Sequence, residues 1–201
     1  MKLRALLVVL AAGCATPAGE AEYRARAEAA VKSAFAGGDP VILARVLKQD
    51  DAQRLCSEHR DSPPAAIAGS MMAAQRAAIA YPASGRLMGD WRQGKRIAED
   101  TGGMRFGDKP GPPNGGNCYA CHQLARAEIV HGTLGPSLLG YGKAHGAGEA
   151  AQREAYERIY SPQAFTACSA MPRFGHNGVL TPDQVAHLVA LLLDPASEVN
   201  R

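Results

Sequence analysis

Residues 118–122 read Cys118-Tyr119-Ala120-Cys121-His122. Two cysteines with two residues between them, followed at once by histidine, form the attachment motif of a c-type haem. The chemistry sets the spacing. Two thiols three positions apart add to the two vinyl groups of one haem, and the imidazole of the next residue is then placed under the iron. Zinc is the competing use of such a pair, but zinc wants a second pair of ligands at similar spacing, and the chain has none. One covalently attached haem c is therefore expected, anchored by Cys118 and Cys121, with His122 as an iron ligand.

Outward from the motif, the start of the chain says where such chemistry would happen. Lys2 and Arg4 precede an apolar run from Ala5 to Ala12, and small residues follow from Gly13 to Ala18. This is the layout of a bacterial secretory signal, expected over residues 1–18. The run is too short to span a bilayer, which takes about 20 residues, and no transmembrane span is expected later. Ala12-Gly13-Cys14 resembles a lipoprotein box, although Ala11 stands where the box prefers Leu. A lipid anchor on Cys14 and ordinary cleavage after Ala15 or Ala18 both stay open. The expected location is the periplasm, which is also where haem is attached to such motifs.

The 201 residues are 46% hydrophobic and 20% charged, too apolar for a disordered chain, and 38 alanines favour helix. The net charge of +3 includes Lys2 and Arg4, and beyond residue 18 there remain 20 basic against 19 acidic residues. That near-balance offers no basic stripe, so nucleic acid is not an expected partner.

Cys56 and Cys168 are left over, and in an oxidising compartment two spare cysteines usually pair. Their loop would close over more than a hundred residues, for about 4–5 kcal/mol of stabilisation. Two free buried thiols, or Cys168 as an iron ligand, are the competing readings. For the second axial position Met171 leads. It lies 49 residues beyond His122 in the irregular stretch Met171-Pro172-Arg173-Phe174-Gly175, where a loop can fold back over the open haem face. Its rivals are Met71, Met72, Met88, Met104, His131, His145, His176 and His187. A histidine plus a thioether raises the reduction potential and leaves iron no open position, so such a site transfers electrons. The other nitrogen of His122 needs an orienting partner, and the carbonyl of Pro136 is the candidate; the alternative is that Gly135-Pro136 is only a turn.

The periodicity predicts helices over 20–36, with Tyr23, Ala27, Ala30, Val31 and Ala34 near helical spacing on one side, 41–47, 65–80, with Ile67, Met71, Ala74 and Ala78 as the inward stripe, 90–100 and 148–160. Thr181-Pro182-Asp183-Gln184 is a capping signature for a last helix that Asp194-Pro195 ends. Residues 101–116, with six Gly and three Pro, are expected to be a loop. No strand-like alternation of useful length is present. The expected organisation is a signal at 1–18, a helical extension at 19–88 and a haem domain at 89–201.

From Asp90 onward, the order helix, haem motif, Gly-Pro turn, Met loop and terminal helix resembles class I cytochromes c. Four phrases narrow the likeness: Gly116-Asn117-Cys118-Tyr119-Ala120-Cys121-His122-Gln123, Gly132-Thr133-Leu134-Gly135-Pro136-Ser137-Leu138, Cys168-Ser169-Ala170-Met171-Pro172-Arg173-Phe174-Gly175 and Leu191-Leu192-Leu193-Asp194-Pro195. Together they resemble SoxX, the monohaem subunit of the SoxAX cytochrome complex of sulfur-oxidising bacteria, and the extension resembles its longer type. The resemblance implies an all-α fold with a class I cytochrome c domain. It implies the electron-transfer subunit of an L-cysteine S-thiosulfotransferase, which couples thiosulfate oxidatively to a cysteine of a SoxYZ-type carrier. The bond-forming site would belong to a SoxA-like cytochrome in a heterodimer, so no catalytic residue is expected here. Electrons would leave to a small downstream cytochrome c. A stand-alone electron carrier serving a respiratory oxidase is the competing function; a haem sensor or peroxidase needs an open axial site and is disfavoured if Met171 binds.

Overall fold

A computed structural model of the chain describes residues 17–37, 40–103 and 114–201. Among the described residues every regular element is helical and none is a strand, so the protein is all-α. None of these helices is long and apolar enough to cross a membrane. The expected Cys14 anchor, the body of the signal and the rival ligand Met104 lie outside the described residues.

The chain parts into two compact units, residues 1–47 and 48–201. In the first, α1 (Pro17–Ala34) and α2 (Pro40–Leu47) follow one another. α1 carries the pairs Glu20–Arg24, Glu22–Arg26 and Glu28–Lys32 one turn apart on a solvated helix. Tyr23, Ala27 and Ala30, expected on an apolar side, are exposed. A unit this small has little surface to bury.

The second unit holds α3 (Asp51–Glu58), α4 (Ala65–Ala77), α5 (Trp91–Glu99), α6 (Tyr141–His145), α7 (Glu149–Tyr160) and α8 (Pro182–Leu193). Single 3-10 turns stand at Cys118–Ala120, Pro162–Ala164 and Glu198–Asn200. Residues 48–88 thus share one compact unit with 89–201.

α8 is the centre of this unit. The Thr181 hydroxyl accepts from the Gln184 N–H while the Gln184 side chain accepts from the Thr181 N–H, and Pro182 occupies the first turn. Every residue from Val185 to Leu193 except His187 is buried. Helix α5 crosses α8 at Gly94, where a Cβ would lie 2.1 Å from the carbonyl oxygen of His187. The two backbones touch there, and only glycine permits it. Asp90 caps α5 by accepting from the N–H groups of Arg92 and Gln93, and its own N–H donates to His187 Nδ1 at 2.8 Å. On another side α7 presents Tyr156, fully buried, whose hydroxyl donates to the Ala80 carbonyl at 2.7 Å. Its ring stacks on Tyr81 and Tyr160.

Three elements differ from the periodicity reading: α6, which it does not foresee, α3 and α4. α3 is an additional helix, started by Asp50, which forms a reciprocal capping box with Gln53. α4 ends at Ala77, and its inward face runs Ile67, Met71, Gln75 rather than through Ala74 and Ala78. Gln75 is buried and stays satisfied: its Oε1 accepts from the Ser161 hydroxyl at 2.8 Å.

Candidate functional site

The 3-10 turn Cys118–Ala120 is pinned on both sides by backbone. Before it, Gly116 N–H donates to Ile97 O at 2.7 Å and Asn117 N–H to Asp100 O at 3.0 Å, which ties the turn to the end of α5. Gly115 lies so close that a Cβ would come 1.9 Å from Asp100 O. Asn117 enters the turn in the left-handed region, φ 45°, which Asn tolerates better than most residues. After the turn, Gly132 N–H donates to Tyr119 O, Gly135 N–H to Cys121 O and Leu138 N–H to Gln123 O, at 2.8, 2.8 and 2.9 Å. Residues 132–138 therefore wrap the motif. The Tyr119 hydroxyl donates to Glu198 Oε1 at 3.2 Å, and Lys95 holds the other oxygen of Glu198 at 2.6 Å.

Within this wrap His122 is fixed. Its Nδ1–H donates to the carbonyl of Pro136 at 2.7 Å. That bond commits one ring nitrogen and leaves Nε2 as the one available to a metal. The ring lies against Gly135, where a Cβ would sit 2.2 Å from its Cε1. Cys118 and Cys121, three residues apart, are both unpaired. Burial pushes the Cys118 thiol up to about 12. Among the described residues the one convergence of three or more metal-type ligand atoms is Cys56, Asp61 and Cys168, and its two sulfurs are bonded to each other. Two unpaired thiols, an imidazole with one nitrogen fixed and a cradle of Gly132 and Gly135 fit a covalently held haem.

Cys56 and Cys168 are joined as a disulfide across a separation of 112 residues. Cys168 sits at φ 59°. Three residues on, Met171 is half-buried at the edge of the main core, to which Cys118 and Tyr119 also contribute. Its described rivals are differently placed. Met71 is buried under the disulfide with Ala52. His187 accepts from Asp90 N–H, His145 stacks on Tyr141 with centroids 4.2 Å apart, and His176 Nε2 lies 4.0 Å from Asp50 Oδ2. His131 has a buried Nδ1 without a hydrogen-bond partner among the described residues.

Asp50, Gln75 and Arg173 escaped the sequence reading. Arg173, 4% exposed, donates from Nη2 to Asp50 Oδ2 at 2.6 Å and from Nη1 to Gln75 Oε1 at 3.4 Å. Burial opposes the charge on Asp50, but the Gln53 N–H, the Arg173 guanidinium and nearby His176 hold its carboxyl below the ordinary carboxylate value. The cap signature Asp50-Asp51-Ala52-Gln53 was the one local signal for any of the three.

No family model matches the chain. It is 38% identical over 156 residues to an uncharacterized lipoprotein of Aquifex aeolicus (strain VF5), a match that covers 76% of this chain and 73% of that one. The chain belongs to the family of that protein.

Proposed function

We propose, with membership in that lipoprotein family as the premise, that the chain is an exported electron-transfer cytochrome c, anchored by a lipid on Cys14, and that it serves as a SoxX-type subunit. The observation that carries the reading is the pair of unpaired thiols beside an imidazole whose Nδ1 is held by Pro136 at 2.7 Å. Cys118 and Cys121 would hold the haem through two thioether bonds, His122 would offer Nε2 to the iron, and Met171 would close the other face. A haem bound there supplies one-electron redox chemistry at a raised potential. The Pro136 carbonyl keeps the imidazole in one tautomer and one orientation, and the glycine cradle keeps side chains out of its way.

The narrower assignment rests on the four phrases that resemble SoxX. Joining thiosulfate to a carrier thiol forms one sulfur–sulfur bond and releases two electrons and the thiol proton. The bond-forming site belongs to the SoxA-like partner, and this subunit takes the electrons singly and passes them on. The lipid anchor rests on Ala12-Gly13-Cys14 and on the relative's being a lipoprotein.

The test reconstitutes the haem-loaded chain with a SoxA-like cytochrome and a SoxYZ-type carrier. Thiosulfate should reduce this haem only when both are present, and the SoxA-like protein should co-purify. Fast exchange with a respiratory oxidase, without a stable partner, would mark a stand-alone carrier instead. Cys14→Ala should move the protein from the detergent phase to the aqueous phase.

A further inference from the structure

Between Cys168 and Arg173 the chain hangs from two anchors, and both land on α3. Cys168 is bonded to Cys56 near the end of that helix. Arg173 is paired with Asp50 at its start, and the same aspartate uses its other oxygen to cap the helix through Gln53 N–H. Gln75, from α4, adds a contact to the Arg173 guanidinium, and its oxygen also accepts from Ser161. Between the anchors, Met171 makes one hydrogen bond among the described residues, from its N–H to Ser169 Oγ at 3.3 Å. Otherwise it only touches the edge of the core. The position of the methionine is thus determined mainly from outside its own loop.

We infer that Asp50, Arg173 and the Cys56–Cys168 bridge are positioning residues for Met171, a two-point clamp by which α3 holds the methionine loop in ligating position. This rests on the haem reading above. A thioether is a neutral ligand that exchanges readily, so the stiffness of the loop that presents it decides how much time it spends off the metal. The bridge restricts the chain three residues before Met171. The ion pair restricts it two residues after. Arg173 is almost fully buried, so loss of the Asp50 charge leaves a guanidinium without its counter-charge, and the loop must shift to rehydrate it. Asp50, Cys56 and Gln75, all ahead of the haem motif, then have a task in the site: they would hold Met171 rather than His122.

The test uses the haem-loaded full chain and two variants that act on opposite anchors, Asp50→Asn and the double variant Cys56→Ala with Cys168→Ala. Added imidazole competes for the position Met171 fills, and its apparent affinity scales with the fraction of molecules whose methionine is off, so each variant should bind imidazole about tenfold more tightly than the native protein. The near-infrared thioether-to-ferric-iron band should weaken in parallel. Tyr156→Phe is the control, because it loosens the core at Ala80 without touching residues 168–173; its imidazole affinity should stay native. Unchanged affinity in both anchor variants, or an equal rise in the control, would overturn the clamp. A native protein that lacks the thioether band would instead overturn ligation by Met171, before any variant is compared.

Discussion

Replacing Gly135 with alanine tests the seat of His122. A Cβ at that position would stand 2.2 Å from His122 Cε1 and 2.6 Å from Nδ1, where ordinary contact begins at 3.4 Å, so about 1.2 Å must be found. The backbone itself accepts alanine, because Gly135 is not among the residues in the left-handed region. The contact alone therefore carries the effect. Two adjustments relieve it. The ring can swing, which breaks the 2.7 Å bond to the Pro136 carbonyl, or the loop can lift, which breaks the 2.8 Å bond from Gly135 N–H to Cys121 O. Each bond contributes about 1 kcal/mol net. Either route costs about 1 kcal/mol, a shift of about fivefold toward molecules with a displaced imidazole or a lifted loop. The assay is the low-spin to high-spin ratio of the ferric, haem-loaded protein. Gly140→Ala is the control: at φ 70° with nothing within 4 Å of its Cβ, it introduces backbone strain without a steric contact. It should lower stability by about 1–2 kcal/mol and leave the spectrum native. A Gly135→Ala spectrum identical to the native one would refute the argument.

Removing the Cys56–Cys168 bridge reopens a loop of 112 residues, worth about 4.8 kcal/mol by chain entropy; urea unfolding should show a loss of that order, and a loss below about 1 kcal/mol would contradict it. Gly94→Ala should destabilise by about 1–3 kcal/mol in thermal unfolding, because overpacking against His187 O outweighs the better helix propensity of alanine. Asp50 has a folded-state carboxyl below its ordinary value of 3.8, so what its charge contributes is present in full above that value and is lost as pH falls through the folded one. The stability gap between native protein and Asp50→Asn should accordingly narrow as pH falls below about 5, followed by acid titration of near-ultraviolet circular dichroism. Tyr156→Phe removes the bond to Ala80 O and should cost about 1 kcal/mol.

How legible these features were in the chain depended on distance. α8 announced itself, since Thr181-Pro182-Asp183-Gln184 holds its cap, its first-turn proline and its N3 partner within four residues. α3 carries a similar signature in Asp50-Asp51-Ala52-Gln53, but the helix it starts buries only Ala52 and Cys56, too few apolar positions to show a period. The Cys-x-x-Cys-His motif is local by nature. The anchors of the Met171 loop are not: Asp50 and Arg173 are 123 positions apart, Gln75 and Arg173 are 98 apart, and a buried polar residue looks in sequence like any surface one. The face of α4 was misplaced for the same reason, because Gln75 takes an inward position that an apolar pattern assigns to alanine. The close approach of α5 to α8 is likewise a property of two helices together. Gly94 alone reads as a weak point in α5, and only the carbonyl of His187 beside it explains why it is there.

Intact mass spectrometry of the exported protein, run under denaturing conditions after production in a host with c-type haem maturation, tests the central claim most directly. The account predicts a chain heavier by one haem, retained through denaturation and lost when Cys118 and Cys121 are both replaced. A chain with the mass of bare polypeptide and both of these thiols open to alkylation would contradict it.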